Sequence, residues 1–394
     1  MDRAPGTRLT ATRMDAVQTP IVPIVGEWIR QTPGTISLGQ GVVHYGPPPE
    51  SLEAVRAALA RPSTHQYQDG AGLPALVERI AAKLASENGL DVARGSRIMV
   101  TAGANMAFMH AVLATTVPGD EIILPVPFYF NHEMAIEMAG CRVVRVPTDD
   151  RYQLLPEAIA RAIGPRTRAV VTISPNNPSG AVLAASTLHE VNALCRDRGL
   201  YHIADETYEY FTYGSARHAS PGSRPDAAGH TFSLYSLSKA YGFAGWRIGY
   251  MAYPDHLESA MMKTQDTILI CPPVASQVAA CAALDVGRGY CEPHVRELAA
   301  IRDDVVSRLA VLAPLARVPA ADGAFYCLLK VETAMAPMTL GERLIREHRV
   351  AVIPGSAFGM TDGCYLRVAY GALQKATVAD GIGRLISGLR AVLS

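Results

Sequence analysis

Residues 236–247 read Ser-Leu-Ser-Lys-Ala-Tyr-Gly-Phe-Ala-Gly-Trp-Arg, which places Lys239 beside two serine hydroxyls and eight residues before an arginine. A partly desolvated lysine amine loses its proton more readily and becomes a nucleophile toward carbonyl carbons. Ser236, Ser238 and the forked guanidinium of Arg247 can together bind a phosphate group. The segment therefore predicts a covalent cofactor anchor at Lys239 with a phosphate site around it.

A second group of candidate residues lies upstream, where the apolar run 201–204 ends in Asp205. Such a run is typical of a buried strand, and it would present the carboxylate at its carboxyl end. A buried carboxylate can keep the ring nitrogen of pyridoxal phosphate protonated, and the ring withdraws electrons only in that state. Tyr208 and Asn177 could both reach the phenolic oxygen of the same ring. These residues predict a pyridoxal phosphate site.

Apolar runs of strand length alternate with amphipathic stretches of helix length along the chain. This alternation predicts an α/β fold built on a doubly wound, mostly parallel sheet. We expect strands at 97–101, 121–124, 142–146, 169–173, 201–204, 232–235 and 247–251, and helices at 105–116, 130–138, 156–163, 187–198 and 292–312, with a further buried helix after Pro272-Pro273.

Ligand-binding residues in such a sheet follow the carboxyl ends of the strands, at one edge. Asp205 and Asn177 lie just after predicted strands. Asn105 begins a predicted helix after Gly103, so the backbone amides of Gly103, Ala104 and Asn105 can receive the cofactor phosphate at the positive end of that helix. The sequence therefore predicts one site shared by several strand ends.

In their order along the chain, these motifs resemble the fold-type I, class I/II pyridoxal phosphate-dependent aminotransferases. The resemblance spans nearly the whole chain and is strongest to the plant-type aromatic aminotransferases. It implies a large cofactor-binding domain over 45–286, and a smaller α/β domain formed by 1–44, including an N-terminal arm, together with 287–394. Further matching segments are 38–41, 67–73, 100–105, 125–129, 323–326, 354–359 and 365–367.

The resemblance implies the reaction and its catalytic residues. Lys239 would hold the cofactor aldehyde, then release it to the substrate amine and move the Cα proton. Asp205 would keep the ring nitrogen charged, and Tyr208 would contact the phenolic oxygen. The implied substrates are an amino acid and a 2-oxo acid, with ping-pong kinetics.

The resemblance also implies binding roles outside the catalytic group. Arg367 and Asn177 would bind the substrate α-carboxylate, and Gly41 would line that side of the pocket. Tyr129 would stack on the cofactor ring. Tyr67 would reach the phosphate of a partner subunit, which implies a homodimer with shared active sites.

Simpler interpretations exist for each of these residues. Most lysines and arginines are solvated surface charges, which is the alternative for Lys239 and Arg367. Asp205 could cap a helix. Tyr129 could belong to the core, and Gly41 could serve only as a turn glycine.

Composition excludes several classes of protein. The 394 residues are 49% hydrophobic and 18% charged, as expected for a packed enzyme. The formal net charge is zero and the pI is about 7.2, so no basic surface for nucleic acid or an anionic membrane is indicated. The seven cysteines and eleven histidines show no metal-binding spacing. We expect a cytoplasmic enzyme without a metal.

The first nineteen residues are polar and contain Arg3, Arg8 and Arg13. The segment lacks the apolar core of a secretory signal. A solvated tail is the favoured interpretation, and a short transit peptide is the alternative.

The charged and aromatic residues near the site motifs indicate a substrate preference. Relatives specific for dicarboxylates supply a second arginine roughly at 263–271, and this segment contains no arginine but does contain Asp266. Tyr45, Phe130 and Phe243 suit an apolar pocket. We therefore expect tryptophan, phenylalanine, tyrosine or methionine as the amino donor.

The sequence is also compatible with other functions. The same motifs are compatible with a β/γ-lyase, an oxidase or a ring-forming synthase on this scaffold. A ligand-sensing domain of a transcription regulator is disfavoured, because only about forty residues precede the first motif and the charge is balanced.

Overall fold

The structure is a computed structural model, and it describes residues 12–394. Arg3 and Arg8 of the predicted tail lie outside the described residues. The helices are α1 (Thr12–Asp15), α2 (Ile21–Gln31), α3 (Pro49–Ala58), α4 (Pro74–Asn88), α5 (Ala104–Thr115), α6 (Phe130–Met138), α7 (Pro156–Ala162), α8 (Ala185–Asp197), α9 (Leu237–Ala240), α10 (Glu258–Ile268), α11 (Val274–Val286), α12 (Arg288–Leu309), α13 (Pro337–His348) and α14 (Lys375–Leu393).

The strands fall into three sheets. They are β1 (Ile36–Ser37), β2 (Ser96–Thr101), β3 (Glu121–Val126), β4 (Arg142–Pro147), β5 (Thr167–Ile173), β6 (Tyr201–Asp205), β7 (Thr231–Ser236), β8 (Gly249–Pro254), β9 (Ala316–Arg317), β10 (Tyr326–Val331), β11 (Val350–Ala351), β12 (Ile353–Pro354) and β13 (Cys364–Ala369).

The largest sheet has seven strands in the order β2-β8-β7-β6-β5-β3-β4. All neighbouring pairs are parallel except those that β8 makes with β2 and β7. The predicted α/β fold with a doubly wound, mostly parallel sheet is confirmed. The helix predicted after the two prolines is α11, and the long helix predicted at 292–312 is α12.

Helices cover both faces of this sheet, and the alternation of side chains along β3 shows why. Ile122 and Leu124 pack in a cluster with Phe108 of α5, whereas Ile123 packs in another cluster with Val191 of α8. Successive side chains of a strand point to opposite faces, so a strand buried on both faces must be apolar throughout. This requirement produces the apolar runs seen in the sequence.

One predicted strand is displaced. The strand expected at 247–251 begins at Gly249, because Arg247 has a φ of 50°, a left-handed conformation that breaks the extended backbone. The side chain of Arg247 is thereby directed toward the start of α5, where its Nη2 lies 3.5 Å from the carbonyl oxygen of Ala102.

The remaining strands belong to two smaller sheets. One has four antiparallel strands in the order β12-β13-β10-β9, and the other pairs β1 with β11 in parallel. The second pairing joins the early segment at Ile36 to the last third of the chain at Val350. The domain limits at 45–286 and 287–394 stay a prediction.

Within residues 12–394, no helix combines the length and the apolar character that crossing a bilayer requires.

Candidate active site

A cavity of about 340 Å³ opens at the carboxyl ends of β5, β6 and β7. Its walls also include residues from α2, β10 and β13. Most of the predicted site residues line it, namely Gly41, Ala104, Asn105, Tyr129, Asn177, Asp205, Tyr208, Ser236, Ser238, Lys239, Arg247 and Arg367. Among the predicted residues, the structure therefore brings together segments that are as much as 326 residues apart in sequence, from Gly41 to Arg367.

Lys239 lies on the short helix α9, directly after β7. The side chain of Ser236 caps this helix by accepting a hydrogen bond from the amide of Ser238 at 3.1 Å. The Nζ of Lys239 donates to the carbonyl oxygen of Gly41 at 2.6 Å. Burial, and then the charges of Arg247 and Arg367, lower the pKa of Lys239 to about 8. The amine is therefore far easier to deprotonate than a surface lysine.

Asp205 ends β6 and is buried beside His132. The Nε2 of His132 lies 3.2 Å from Oδ2 of Asp205, and the amide of Thr207 donates to Oδ1 at 3.0 Å. Burial alone would raise the pKa of the Asp205 carboxyl, but the contacts with His132 and Thr207 outweigh it and hold the pKa below its usual value. The carboxylate therefore stays ionised although it is only 6% exposed.

The start of α5 and Arg247 together form one part of the cavity wall. Gly103 precedes the helix with a φ of 85°, and a Cβ at this position would lie 2.5 Å from Nη2 of Arg247. Glycine is therefore needed both for the backbone conformation and for the approach of the guanidinium. Gly103 itself does not appear among the lining residues, whereas Ala104 and Asn105 do. The first amides of a helix have no acceptor within it and can bind an anion.

Arg367 also lines the cavity and is 2% exposed. Its Nη1 donates to Oδ1 of Asn177 at 3.0 Å, and its Nη2 donates to the carbonyl oxygen of Gly39 at 2.7 Å. Its Nε has no hydrogen-bond partner among the described residues. A buried guanidinium with a free donor suits a carboxylate ligand, because arginine pairs with carboxylates bidentately.

Tyr208 and Tyr326 are neighbouring residues of the cavity lining. Their hydroxyl oxygens are 2.8 Å apart, and Nδ2 of Asn177 donates to the Tyr208 hydroxyl at 3.3 Å. Burial is the main reason why the pKa of Tyr208 lies well above its usual value, so its hydroxyl stays protonated.

Several predicted residues lie elsewhere. Tyr67 is 78% exposed and lies on another concave surface, beside Cys271 and Val274. Phe130 lines the cavity as expected, but Tyr45 and Phe243 do not. The ring of Tyr45 stacks on His294, and its hydroxyl donates a hydrogen bond to the backbone carbonyl oxygen of Lys239 at 3.1 Å. Phe243 is buried in the core.

Sequence reasoning assigned no role to seven residues of the site, namely His132 beside Asp205 and the cavity-lining Val22, Val42, Ile173, Thr207, Ala244 and Tyr326. One of them carried a detectable signal. His132 follows Tyr129 by three residues at the start of α6, and that spacing places two side chains on neighbouring positions of a helix surface.

A family model described as aminotransferase class I and II matches residues 33–385. This chain is a class I/II aminotransferase. Within the described residues of this aminotransferase, no group of histidine, cysteine, aspartate and glutamate side chains could hold a metal ion.

The aminotransferase is similar to other aminotransferases over most of its length. It is 34% identical to the aromatic aminotransferase ISS1 of Arabidopsis thaliana, over 95% of this chain and 94% of that protein. It is 33% identical to a probable aspartate/prephenate aminotransferase of Aquifex aeolicus, over 91% of both. The crystal structure of an aromatic aminotransferase from Pyrococcus horikoshii superposes with a TM-score of 0.86 at 31% identity, covering 94% of this chain and 99% of that one.

Proposed function

We propose that this aminotransferase binds pyridoxal 5'-phosphate and transfers the amino group of an aromatic or apolar L-amino acid to a 2-oxo acid. The proposed donors are tryptophan, phenylalanine, tyrosine and methionine. The observation that carries the proposal is the charge inventory of the cavity, in which the described lining residues include three cations: Lys239, Arg247 and Arg367. Each of them has a role in the proposed scheme, so none of these three lining residues is left for a second substrate carboxylate.

The described residues fit the proposed cofactor at each of its ends. Arg247, the hydroxyls of Ser236 and Ser238 and the first amides of α5 would hold the phosphate. Asp205, whose pKa is held low, would pair with the protonated ring nitrogen. Lys239 would bond to the aldehyde. Tyr129, which lines the cavity beside Asp205, would stack on the ring.

When bound, the cofactor supplies an electron sink for the bond that breaks at the substrate Cα. Lys239 would hold the cofactor through its aldehyde until the substrate amine took its place, and the released Nζ would then take the proton from the substrate Cα and deliver it to the cofactor. Asp205, as a carboxylate, would accept a hydrogen bond from the protonated ring nitrogen and keep that nitrogen charged. The reaction with a 2-oxo acid would reverse these proton transfers and restore the link to Lys239.

Arg367 and Asn177 orient the substrate in this scheme. The Nε of Arg367, which has no hydrogen-bond partner among the described residues, can complete a forked contact with the α-carboxylate. Gly41 keeps this side open, because a Cβ there would lie 2.8 Å from the Tyr326 hydroxyl. A substrate held at its carboxylate and near Lys239 has its Cα placed for proton transfer.

The apolar part of the cavity also supports the proposed substrate class. Val22, Val42, Phe130 and Ile173 contribute apolar surface to the cavity. A second carboxylate placed against this surface would lose its hydration without gaining a cation, which is unfavourable. Aromatic and apolar side chains would instead gain contact area.

The proposal includes a homodimer in which Tyr67 serves the partner's site. Tyr67 is a large aromatic side chain that is 78% exposed, and Leu59, Ile268 and Ile270 are also exposed at 52%, 46% and 40%. Tyr67 and the prolines Pro272 and Pro273 form one concave surface. Exposed apolar surface of this kind is typical of an interface.

The substrate class can be tested by steady-state kinetics with one common 2-oxo acid. We expect a higher kcat/KM with phenylalanine, tryptophan, tyrosine or methionine than with aspartate or glutamate. Phe130→Ala should lower kcat/KM for phenylalanine by about 10-fold, since a lost apolar contact costs discrimination of that order. Met138→Ala, on the exposed end of the same helix α6, is the matched control. A clear preference for aspartate in the parent enzyme would reject the proposal.

A further inference from the structure

Tyr326 is a cavity residue whose role the proposed function leaves open. It begins β10, is fully buried, and lines the cavity beside Tyr208. Its hydroxyl lies 2.8 Å from the Tyr208 hydroxyl, and the guanidinium carbon of Arg367 lies 4.7 Å from the centroid of its ring. The same hydroxyl would be 2.8 Å from a Cβ at Gly41. Tyr326 thus contacts three residues of the site.

The hydrogen bonds of Tyr208 can be counted. A tyrosine hydroxyl can donate one hydrogen bond and accept others through its oxygen. The Tyr208 oxygen already accepts from Nδ2 of Asn177 at 3.3 Å, and Tyr326 is its second neighbour, at 2.8 Å. If Tyr326 donates, the acceptor positions of Tyr208 are both used. The proton of Tyr208 is then left for an acceptor inside the cavity.

The surroundings favour this direction. Within the described part of the chain, Tyr326 and Asn177 are the side chains that hydrogen-bond to the Tyr208 hydroxyl. The positive charge of Arg367 is held against the face of the Tyr326 ring. A cation beside a phenol makes it a better hydrogen-bond donor, because it stabilises negative charge on the phenol oxygen.

We propose that Tyr326 is a positioning residue that donates its hydrogen bond to Tyr208 and so commits the Tyr208 proton to the phenolic oxygen of the bound cofactor. The proposal rests on the proposed function, because that oxygen belongs to pyridoxal phosphate. Tyr326 acts through Tyr208. A hydrogen bond received by Tyr208 also strengthens the one that it donates, by about 10–30%.

The test is a pH titration of the visible absorbance of the purified holoenzyme. A donor at the phenolic oxygen withdraws electron density from the nearby lysine-linked nitrogen and lowers the pH midpoint at which that nitrogen titrates. Tyr208→Phe should therefore raise the midpoint. Tyr326→Phe should raise it in the same direction and by a smaller amount, roughly 10–30% of the Tyr208→Phe shift. In a Tyr208→Phe background, Tyr326→Phe should add nothing.

The double variant separates positioning from a general structural effect, since two residues that act through one contact are not additive. Tyr152→Phe is the matched control, because Tyr152 is buried and its hydroxyl has no partner among the described residues. Its midpoint should equal that of the parent enzyme. An unchanged midpoint in Tyr326→Phe, or an equal shift in both backgrounds, would overturn the inference. A parent enzyme without a visible cofactor band would instead reject the proposed function itself.

A second measurement tests the contact between Tyr326 and Gly41. Gly41→Ala should displace the Tyr326 hydroxyl and lower both the thermal midpoint of unfolding and cofactor retention. Tyr326→Phe removes the clashing oxygen, after which the nearest ring atoms stand at 3.8 and 3.9 Å, ordinary contact distances. The double variant Gly41→Ala/Tyr326→Phe should therefore be more stable than Gly41→Ala alone. Equal or lower stability would show that Tyr326 does not restrict Gly41.

Discussion

His132 Nε2 and Asp205 Oδ2 lie 3.2 Å apart in a pocket where both side chains are almost fully buried. The imidazole also stacks on Phe108, with ring centroids 4.0 Å apart, which fixes its orientation. Asp205 would otherwise be driven toward its neutral form by burial. His132, together with Thr207, therefore keeps ionised the carboxylate on which the proposed cofactor chemistry depends.

His132→Phe should move the acidic limb of the kcat profile to higher pH. The ring is kept for stacking on Phe108, but the hydrogen bond and charge that lower the pKa of Asp205 are lost, so that pKa rises. Asp205 must be ionised to hold the ring proton, and activity is therefore lost at a higher pH as the solution is acidified. His189→Phe, on α8, is the control. Superimposable profiles for His132→Phe and the parent would refute the role of His132.

Covalent attachment of the cofactor to apoenzyme should accelerate with pH and level off above about 8. Attachment needs the neutral amine of Lys239, whose pKa is lowered to about 8 by burial and by the two arginines. Below that pH the rate should rise about tenfold per unit. Stopped-flow absorbance measures the rate, with Lys239→Ala as the variant that cannot attach. A rate that keeps rising beyond pH 10 would mean that the lysine is not perturbed.

Arg367→Lys should lower kcat/KM for the amino donor, mostly through KM. Lysine keeps the charge but loses the forked geometry that contacts both Asn177 and a carboxylate. A charge-assisted hydrogen bond contributes about 1.5–3 kcal/mol, so a loss of roughly 10- to 150-fold is expected. Arg384→Lys, in a surface pair with Asp380, is the control. Unchanged kinetics would remove Arg367 from the substrate site.

Tyr67→Phe should weaken cofactor binding without dissociating the dimer. Only the hydroxyl is lost, so the apolar part of the interface remains, while one hydrogen bond to a charged phosphate disappears. We expect the dissociation constant of the cofactor to rise by about 10-fold or more. Equilibrium dialysis and sedimentation together provide the measurement. Tyr201→Phe, which removes the hydroxyl of a half-buried tyrosine on β6 outside the cavity, is the control. A monomeric parent enzyme would contradict the shared-site proposal directly.

Much of the fold could be predicted because its strands obey a simple rule. A strand covered by helices on both faces must be apolar throughout, as Ile122, Ile123 and Leu124 show on β3. The start of β8 could not be predicted in this way. Arg247 adopts a left-handed conformation, and its guanidinium lies beside Gly103. This contact joins two residues that are 144 positions apart in the sequence.

The site was predictable where residues follow strand ends, as Asp205 and Lys239 do. His132 and Tyr326 were missed because each acts through a side chain supplied by a distant segment. Tyr45 and Phe243 were expected in the pocket because they are near the motifs in sequence. Instead, Tyr45 bonds to the backbone of Lys239 outside the cavity lining, and Phe243 is buried in the core. Proximity in sequence does not determine which face a side chain reaches.

The central claim is tested most directly by one half-reaction. The purified holoenzyme is mixed with L-phenylalanine and no 2-oxo acid, and the visible absorbance of the lysine-linked cofactor is followed. We predict that this absorbance is lost, that a 2-oxo acid restores it, and that aspartate acts more slowly. Ammonia release without reversible conversion, or faster conversion with aspartate, would contradict the account.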